Sequence, residues 1–179
     1  MSSAVNKIDS KGRVSIPAPF RSVLEFQGYP GVYLFPSFTS NAIDGGGQEL
    51  IDQISLSVEK MQLFAEETDA LSTALFSDTY SLSYDQDGRI SLPEIFIDHA
   101  NLSERVIFVG QGRKFQMWNP EDFNEFKRDA KIKALENLNS GKWKLSQCEK
   151  YLKNGIEIQS IKSFINKNFN DVSIFTKKD

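Results

Sequence analysis

A nine-residue string occurs twice in this chain. Asp9-Ser10-Lys11-Gly12-Arg13-Val14-Ser15-Ile16-Pro17 returns as Asp85-Gln86-Asp87-Gly88-Arg89-Ile90-Ser91-Leu92-Pro93, with the spacing of every shared position kept. The string divides into a turn, a half-buried strand and a stop. Gly12 and Gly88 are suited to the positive φ of a tight turn, and Asp9 and Asp85 to bonding forward onto turn N–H groups. Val14 and Ile16 alternate with Arg13 and Ser15, as Ile90 and Leu92 do with Arg89 and Ser91, which is the period of a strand with one buried face. Each arginine therefore leaves its turn on the polar face. Pro17 and Pro93 donate nothing to a ladder and suit the first turn of a helix. The correspondence continues through Phe20 and Phe96, and Val32-Tyr33-Leu34-Phe35 has its counterpart in Val106-Ile107-Phe108-Val109. Two hairpins sharing only turn chemistry would not agree in turn, strand, proline and aromatic at one offset. The chain reads as an internal duplication.

Charge bears on what such a pair of turns meets. The net charge is −3, but it is unevenly distributed. Residues 1–30 carry four basic and two acidic side chains, residues 31–126 five and sixteen, and residues 127–179 twelve and six. A chain polarised in this way can turn a basic face to phosphate while acidic overall. With 179 residues, 40% of them hydrophobic, the chain can bury a core as one unit or two small lobes. A single cysteine, Cys148, excludes an intrachain disulfide framework and a cysteine-rich zinc site. No apolar run approaches bilayer length and none at the N-terminus resembles a signal peptide, so a soluble cytoplasmic protein is expected.

Taken in order, residues 2–8 are expected to pair through the first turn with Val14–Ile16 as a hairpin. Pro19 to about Phe26 reads as a short helix and Val32–Phe35 as a buried strand. Pro36 to Gly47 reads as a loop, its glycine triplet a linker, since it lacks the lysine and hydroxyl of a phosphate loop. Gln48 to about Phe64 is an amphipathic helix, with Leu50, Ile51, Ile54, Val58 and Met61 predicted to pack in the core, and Thr68 to Phe76 is a second helix. Tyr80, Leu82 and Tyr84 alternate as a strand into the second turn, and a helix follows Pro93 toward Ala100. Val106–Val109 and Phe115–Trp118 form a hairpin with Arg113 and Lys114 near its tip. Asn119 caps a helix from Pro120 to about Leu138.

These residues carry a resemblance. Asn6-Lys7-Ile8-Asp9-Ser10-Lys11-Gly12-Arg13-Val14-Ser15-Ile16-Pro17 resembles the first repeat of the MraZ family of bacterial transcriptional regulators, duplicated relatives of the AbrB/MazE swapped-hairpin domain. Asp85 to Arg89, with Phe108-Val109-Gly110-Gln111 and Lys114-Phe115-Gln116-Met117-Trp118, resembles the second. The resemblance covers roughly residues 4–138. It implies a β-rich α+β fold of two tandem AbrB-like swapped-hairpin repeats, a double-split β-barrel with pseudo-two-fold symmetry and peripheral helices. The corresponding division is residues 1–64 for the first repeat with its linking helix, 65–138 for the second with the C-terminal helix, and 139–179 for a basic tail. It further implies a ring-like homo-oligomer, localisation at the nucleoid, and binding of direct repeats in double-stranded promoter DNA before a cell-division and cell-wall gene cluster. The Asp-x-x-x-Arg turns meet the DNA in that family. Carried over by position, the DNA-binding set is Lys7, Asp9, Lys11, Gly12, Arg13, Asp85, Gly88 and Arg89. Asp87 stands where the first turn has Lys11, which makes the second turn the weaker phosphate binder.

The residues support a DNA role without the family. Arginine forks onto phosphate or onto guanine O6/N7, lysine adds a point charge, and a two-stranded ribbon fits the major groove. The competing structural reading is that Arg13 pairs with Asp9 across its own turn. An enzyme fits poorly, because His99 is the only histidine, Cys148 lies outside the duplication, and Glu66 and Glu67 read as solvated surface. No catalytic residue, cofactor, metal, membrane or small-molecule substrate is expected. An AbrB/MazE-type antitoxin or other interaction module remains the alternative, with residues 139–179 as its partner-binding segment.

Overall fold

The computed structural model describes residues 3–61 and 66–139, and the chain divides into two compact units, Met1–Arg128 and Asp129–Asp179. Cys148 and, apart from Asn139, the basic tail expected at 139–179 lie outside the described residues. The elements run β1 (Ser3–Lys7), β2 (Arg13–Ser15), α1 (Ala18–Glu25), β3 (Gly31–Pro36), β4 (Ala42–Gly46), α2 (Gln48–Glu59), α3 (Glu66–Ser77), β5 (Tyr80–Ser83), β6 (Arg89–Ser91), α4 (Glu94–His99), β7 (Arg105–Gln111), β8 (Lys114–Trp118) and α5 (Pro120–Asn139). The protein is thus α+β, with antiparallel strands and several helices.

Strands from the two halves pair with one another. A six-stranded sheet has the order β1-β7-β8-β4-β3-β5, and β2 pairs with β6 in a separate two-stranded ribbon. The first strand of the chain therefore lies against β7 of the second half, from Ser3↔Val109 to Lys7↔Arg105, and β5 of the second half lies against β3 of the first. This corrects the hairpin expected between residues 2–8 and β2, of which one bridge remains, Ile8↔Val14. The cause lies in burial. Val14 and Ile90 each have to reach the core from a three-residue strand, and pairing them with each other leaves both 1% exposed. The five residues of β1 meanwhile find a full ladder on β7.

The ribbon closes the core from above. Val14, Ile16, Ile90 and Leu92 pack with Phe20 of α1, Phe96 of α4, and Val32, Leu34, Val106, Phe108 and Phe115 of the sheet. The phenylalanines interlock. The Phe20 ring stands 5.6 Å from Phe115 edge-on and 6.1 Å from Phe108, and Phe96 meets Tyr80 edge-on at 5.2 Å. Both short helices start immediately after a proline, Pro17 or Pro93, whose carbonyl accepts the N–H of the phenylalanine three residues on. Residue identity thus sets the helix start and the anchor together.

Two further expectations are corrected. The glycine triplet is no linker, because β4 runs through Gly46 as a buried inner strand between β3 and β8. A Cβ on Gly45 would stand 2.5 Å from Leu34 Cδ2 and 2.7 Å from Phe115 Cζ, so glycine there lets the sheet's inner layer close. Of the α2 stripe, only Leu50 is buried. Ile51, Ile54 and Val58 are half-buried, and Met61, beyond the helix, is 39% exposed. Asn119 caps α5 as expected, its Oδ1 accepting the Glu121 N–H at 2.8 Å.

Candidate nucleic-acid interface

The two turns are built alike. In the first, the Asp9 N–H donates to the Arg13 carbonyl and the Gly12 N–H to the Asp9 carbonyl, at 2.9 and 3.0 Å. Asp9 Oδ1 accepts the Lys11 and Arg13 N–H groups, both at 2.9 Å, and Oδ2 accepts Arg13 Nε at 2.8 Å with Nη2 at 2.7 Å. In the second, Asp85 Oδ1 accepts the Asp87 and Arg89 N–H groups at 2.9 Å, and Oδ2 accepts Arg89 Nε at 2.8 Å. Gly12 and Gly88 hold φ of 72° and 70°, the left-handed conformation the turn demands. The carboxylate thus organises both turn backbone and guanidinium. Hydrogen bonds from the Arg13 side chain, and then from its backbone N–H, hold the Asp9 carboxyl down to about 2. Asp85 is likewise lowered, chiefly by the Arg89 N–H, and Arg89 is raised by its bond to Asp85.

The structural reading of Arg13 as Asp9's partner therefore holds, and it leaves a donor surface. A guanidinium carries five N–H groups, and the carboxylate occupies those on one edge. The side chain of Arg13 remains 31% exposed and that of Arg89 30%. The turns differ in one position. Asp87, replacing Lys11, takes Arg89 Nη2 at 2.7 Å, so two carboxylates share that guanidinium.

The ribbon register brings the arginines together. Arg13 lies opposite Ser91 and Ser15 opposite Arg89, with Val14 against Ile90. Side chains alternate along a strand, so Arg13, Ser15, Arg89 and Ser91 share one face while the central pair enters the core. The turns cross-link. Leu92 N–H donates to the Gly12 carbonyl at 2.9 Å, and Ile16 N–H to the Gly88 carbonyl at 3.2 Å. Lys7 and Lys11 are exposed beside the first turn, and the Asn6 side chain donates to the Ser15 carbonyl at 2.6 Å.

Sequence reasoning missed Arg21. It sits on α1 of the first half, yet its guanidinium occupies the space beside Gly88 in the second turn. The available signal was a departure from the repeat, since Ile97 holds the equivalent position after Phe96. His99 closes α4, as a helix-end residue, with Nε2 buried and without a hydrogen-bond partner among the described residues. Among those residues no group of three His, Cys, Asp or Glu side chains is placed to hold a metal, and no helix is long and apolar enough to cross a membrane.

The fold and the two turns define an α+β protein with two like-built aspartate–arginine turns whose polar side chains share one face of a ribbon. Residues 75–139 match the family described as "MraZ protein, putative antitoxin-like". A Transcriptional regulator MraZ of Pelagibacter ubique is 43% identical over 143 residues, covering 80% of this chain and 92% of that protein. The Transcriptional regulator MraZ of Rickettsia bellii is 37% identical over 131 residues, 73% of this chain and 87% of its own length, and that of Methylocella silvestris is 41% identical over 131 residues, 73% and 80%. The chain belongs to the MraZ family.

Proposed function

We propose that this chain is a sequence-specific DNA-binding transcriptional regulator that lays the β2–β6 ribbon on double-stranded DNA. The observation that carries the reading is the register that places Arg13 and Arg89 on one exposed face with Ser15 and Ser91. A two-stranded ribbon has the width of a major groove, and arginine forks onto phosphate or guanine. The acidic partner is compatible with this role, because a guanidinium held at one edge is pre-oriented and loses less freedom when its other edge binds. Lys7, Asp9, Lys11, Gly12 and Arg13 form the first contact set, and Asp85, Gly88 and Arg89 the second. The relatives are named transcriptional regulators, not enzymes, in keeping with a binding role.

The finer reading follows the same line. Cross-half pairing of β1 with β7 and β5 with β3 supports two tandem swapped-hairpin repeats, divided near residue 64, with residues 139–179 as an appendage. Exposed Leu56, Met61, Leu71 and Phe76 supply apolar surface for a ring-like homo-oligomer. Such a ring would engage direct repeats before a cell-division and cell-wall gene cluster, in the cytoplasm at the nucleoid. The test is a footprint on the DNA upstream of the protein's own gene. Protection recurring at a fixed interval is expected. Absence of protection at any concentration overturns the reading, and a strictly monomeric mass by light scattering removes the ring. The antitoxin-like family description favours a second reading, in which the chain co-purifies with a toxin encoded beside it.

A further inference from the structure

The proline-started helix of each half, α1 or α4, covers the turn of the other, and the two coverings differ in charge. Pro17 to Arg21 aligns with Pro93 to Ile97 through Phe20 and Phe96, so Arg21 and Ile97 are equivalents. Ile97 Cδ1 lies 3.7 Å from where a Cβ on Gly12 would stand. At Gly88 that space is filled by the Arg21 guanidinium, with its Cζ 2.7 Å and its Cδ 3.2 Å from the same point. The two acids of that turn are already engaged, Asp85 Oδ2 by Arg89 Nε and Asp87 Oδ2 by Arg89 Nη2, while Glu25, one helical turn further along α1, shares the neighbourhood of the Tyr84 hydroxyl with Arg21. Arg21 itself is half-buried, its Nε has no hydrogen-bond partner, and it makes no ion pair among the described residues. A half-buried cation held beside the turn without an ion-pair partner among those residues is available to an external anion.

We infer that Arg21 completes the second turn from across the molecule, standing in for the charge that Lys11 supplies to the first, and that it contacts a phosphate of the bound DNA. The inference rests on the DNA-binding reading above. Each turn then presents two cations, Lys11 with Arg13 and Arg21 with Arg89, with Asp87 holding the Arg89 guanidinium from a second side. The second turn thereby regains a positive charge from a different element, while Asp87 leaves it one charge below the first.

The experiment measures the salt dependence of binding to a labelled duplex carrying the DNA upstream of the protein's own gene. Arg21→Met keeps the aliphatic packing and removes the charge. It is expected to flatten the slope of log affinity against log salt by about 0.9 for each engaged subunit, with an unchanged thermal transition. Arg21→Lys is expected to keep the parental slope. Should Arg21→Met lose its thermal transition, the slope is read from Arg21→Gln, which keeps a planar polar head without charge. A charge-free variant with the parent's slope and affinity overturns the inference, as does an Arg21→Lys slope that falls with Arg21→Met. Failure of the parent to bind the duplex at all overturns the DNA-binding reading, and the inference with it.

Discussion

Substituting alanine at the two turn glycines should separate backbone strain from packing, because the turns share a backbone and differ in what covers them. At Gly12, φ is 72° and the nearest atoms to a new Cβ are the Leu92 carbonyl oxygen at 3.5 Å and Ile97 Cδ1 at 3.7 Å, both ordinary contacts. Gly12→Ala therefore meets only the left-handed conformation, which costs about 1–2 kcal/mol. For a chain of this size that corresponds to a fall in melting temperature of roughly 2–8 °C. Gly88→Ala has the same backbone cost at φ 70° and must also displace Arg21, whose Cδ lies 3.2 Å from the new carbon and whose Nε is buried. Neighbours in contact couple by about 0.5–3 kcal/mol, so Gly88→Ala should be the more damaging by an amount in that range. The assay is urea unfolding of Gly12→Ala, Gly88→Ala, Arg21→Ala and the Gly88→Ala/Arg21→Ala double variant. Measured from Arg21→Ala, the addition of Gly88→Ala should cost only what Gly12→Ala costs in the parent, the extra loss having disappeared. Equal midpoints for Gly12→Ala and Gly88→Ala, or strict additivity in the double variant, would refute the packing of Arg21 on the second turn.

Further outcomes follow from the same geometry. Asp9 is held at about 2, below its ordinary 3.8, chiefly by the Arg13 side chain. A carboxyl lowered in the fold stabilises it above the ordinary value, and that contribution is lost as pH falls from about 4 through about 2. Thermal melts across that range should show a shallower acid loss for Asp9→Asn than for the parent, and identical acid profiles would contradict the clamp. Phe96 is fully buried and meets Tyr80 edge-on, so Phe96→Ala should cost about 3–5 kcal/mol by denaturant unfolding, and a cost under about 1 would show that this half of the core is not closed as described. Lys11→Ala should weaken binding to all DNA sequences and flatten the salt slope by about one unit, with thermal stability unchanged; a change confined to one sequence would place Lys11 on a base instead.

What could be read along the chain was whatever neighbours in sequence decide. The turns, the strands after them, the proline-started helices, the β7–β8 hairpin and the Asn119 cap are all local, and each stands where its residues put it. The partners of β1 and β2 were not legible, because a three-residue strand with one buried face satisfies its pattern equally against a sequence neighbour or a distant twin. β4 was hidden for another reason. Its Gly45 and Gly46 carry the mark of a loop, and only the approach of Leu34, Phe115 and Leu50 shows that the missing side chains make room for others. The place of Arg21 beside Gly88 was invisible because it is set by which helix covers which turn, a property of the cross-paired strands.

The central claim is that the two acid-held arginines on one ribbon face bind DNA, and the most direct measurement is a titration of labelled upstream duplex with the parent, Arg13→Ala, Arg89→Ala and the double variant. Arg13→Ala should weaken binding by about 1–3 kcal/mol per chain if the arginine forks onto a base, amplified when several subunits engage repeated sites. Arg89→Ala should cost less, since two carboxylates already share that guanidinium and Arg21 remains beside the turn. The double variant, folded by its thermal transition, should retain only weak, sequence-independent binding. A folded double variant that binds the duplex as the parent does would contradict the claim.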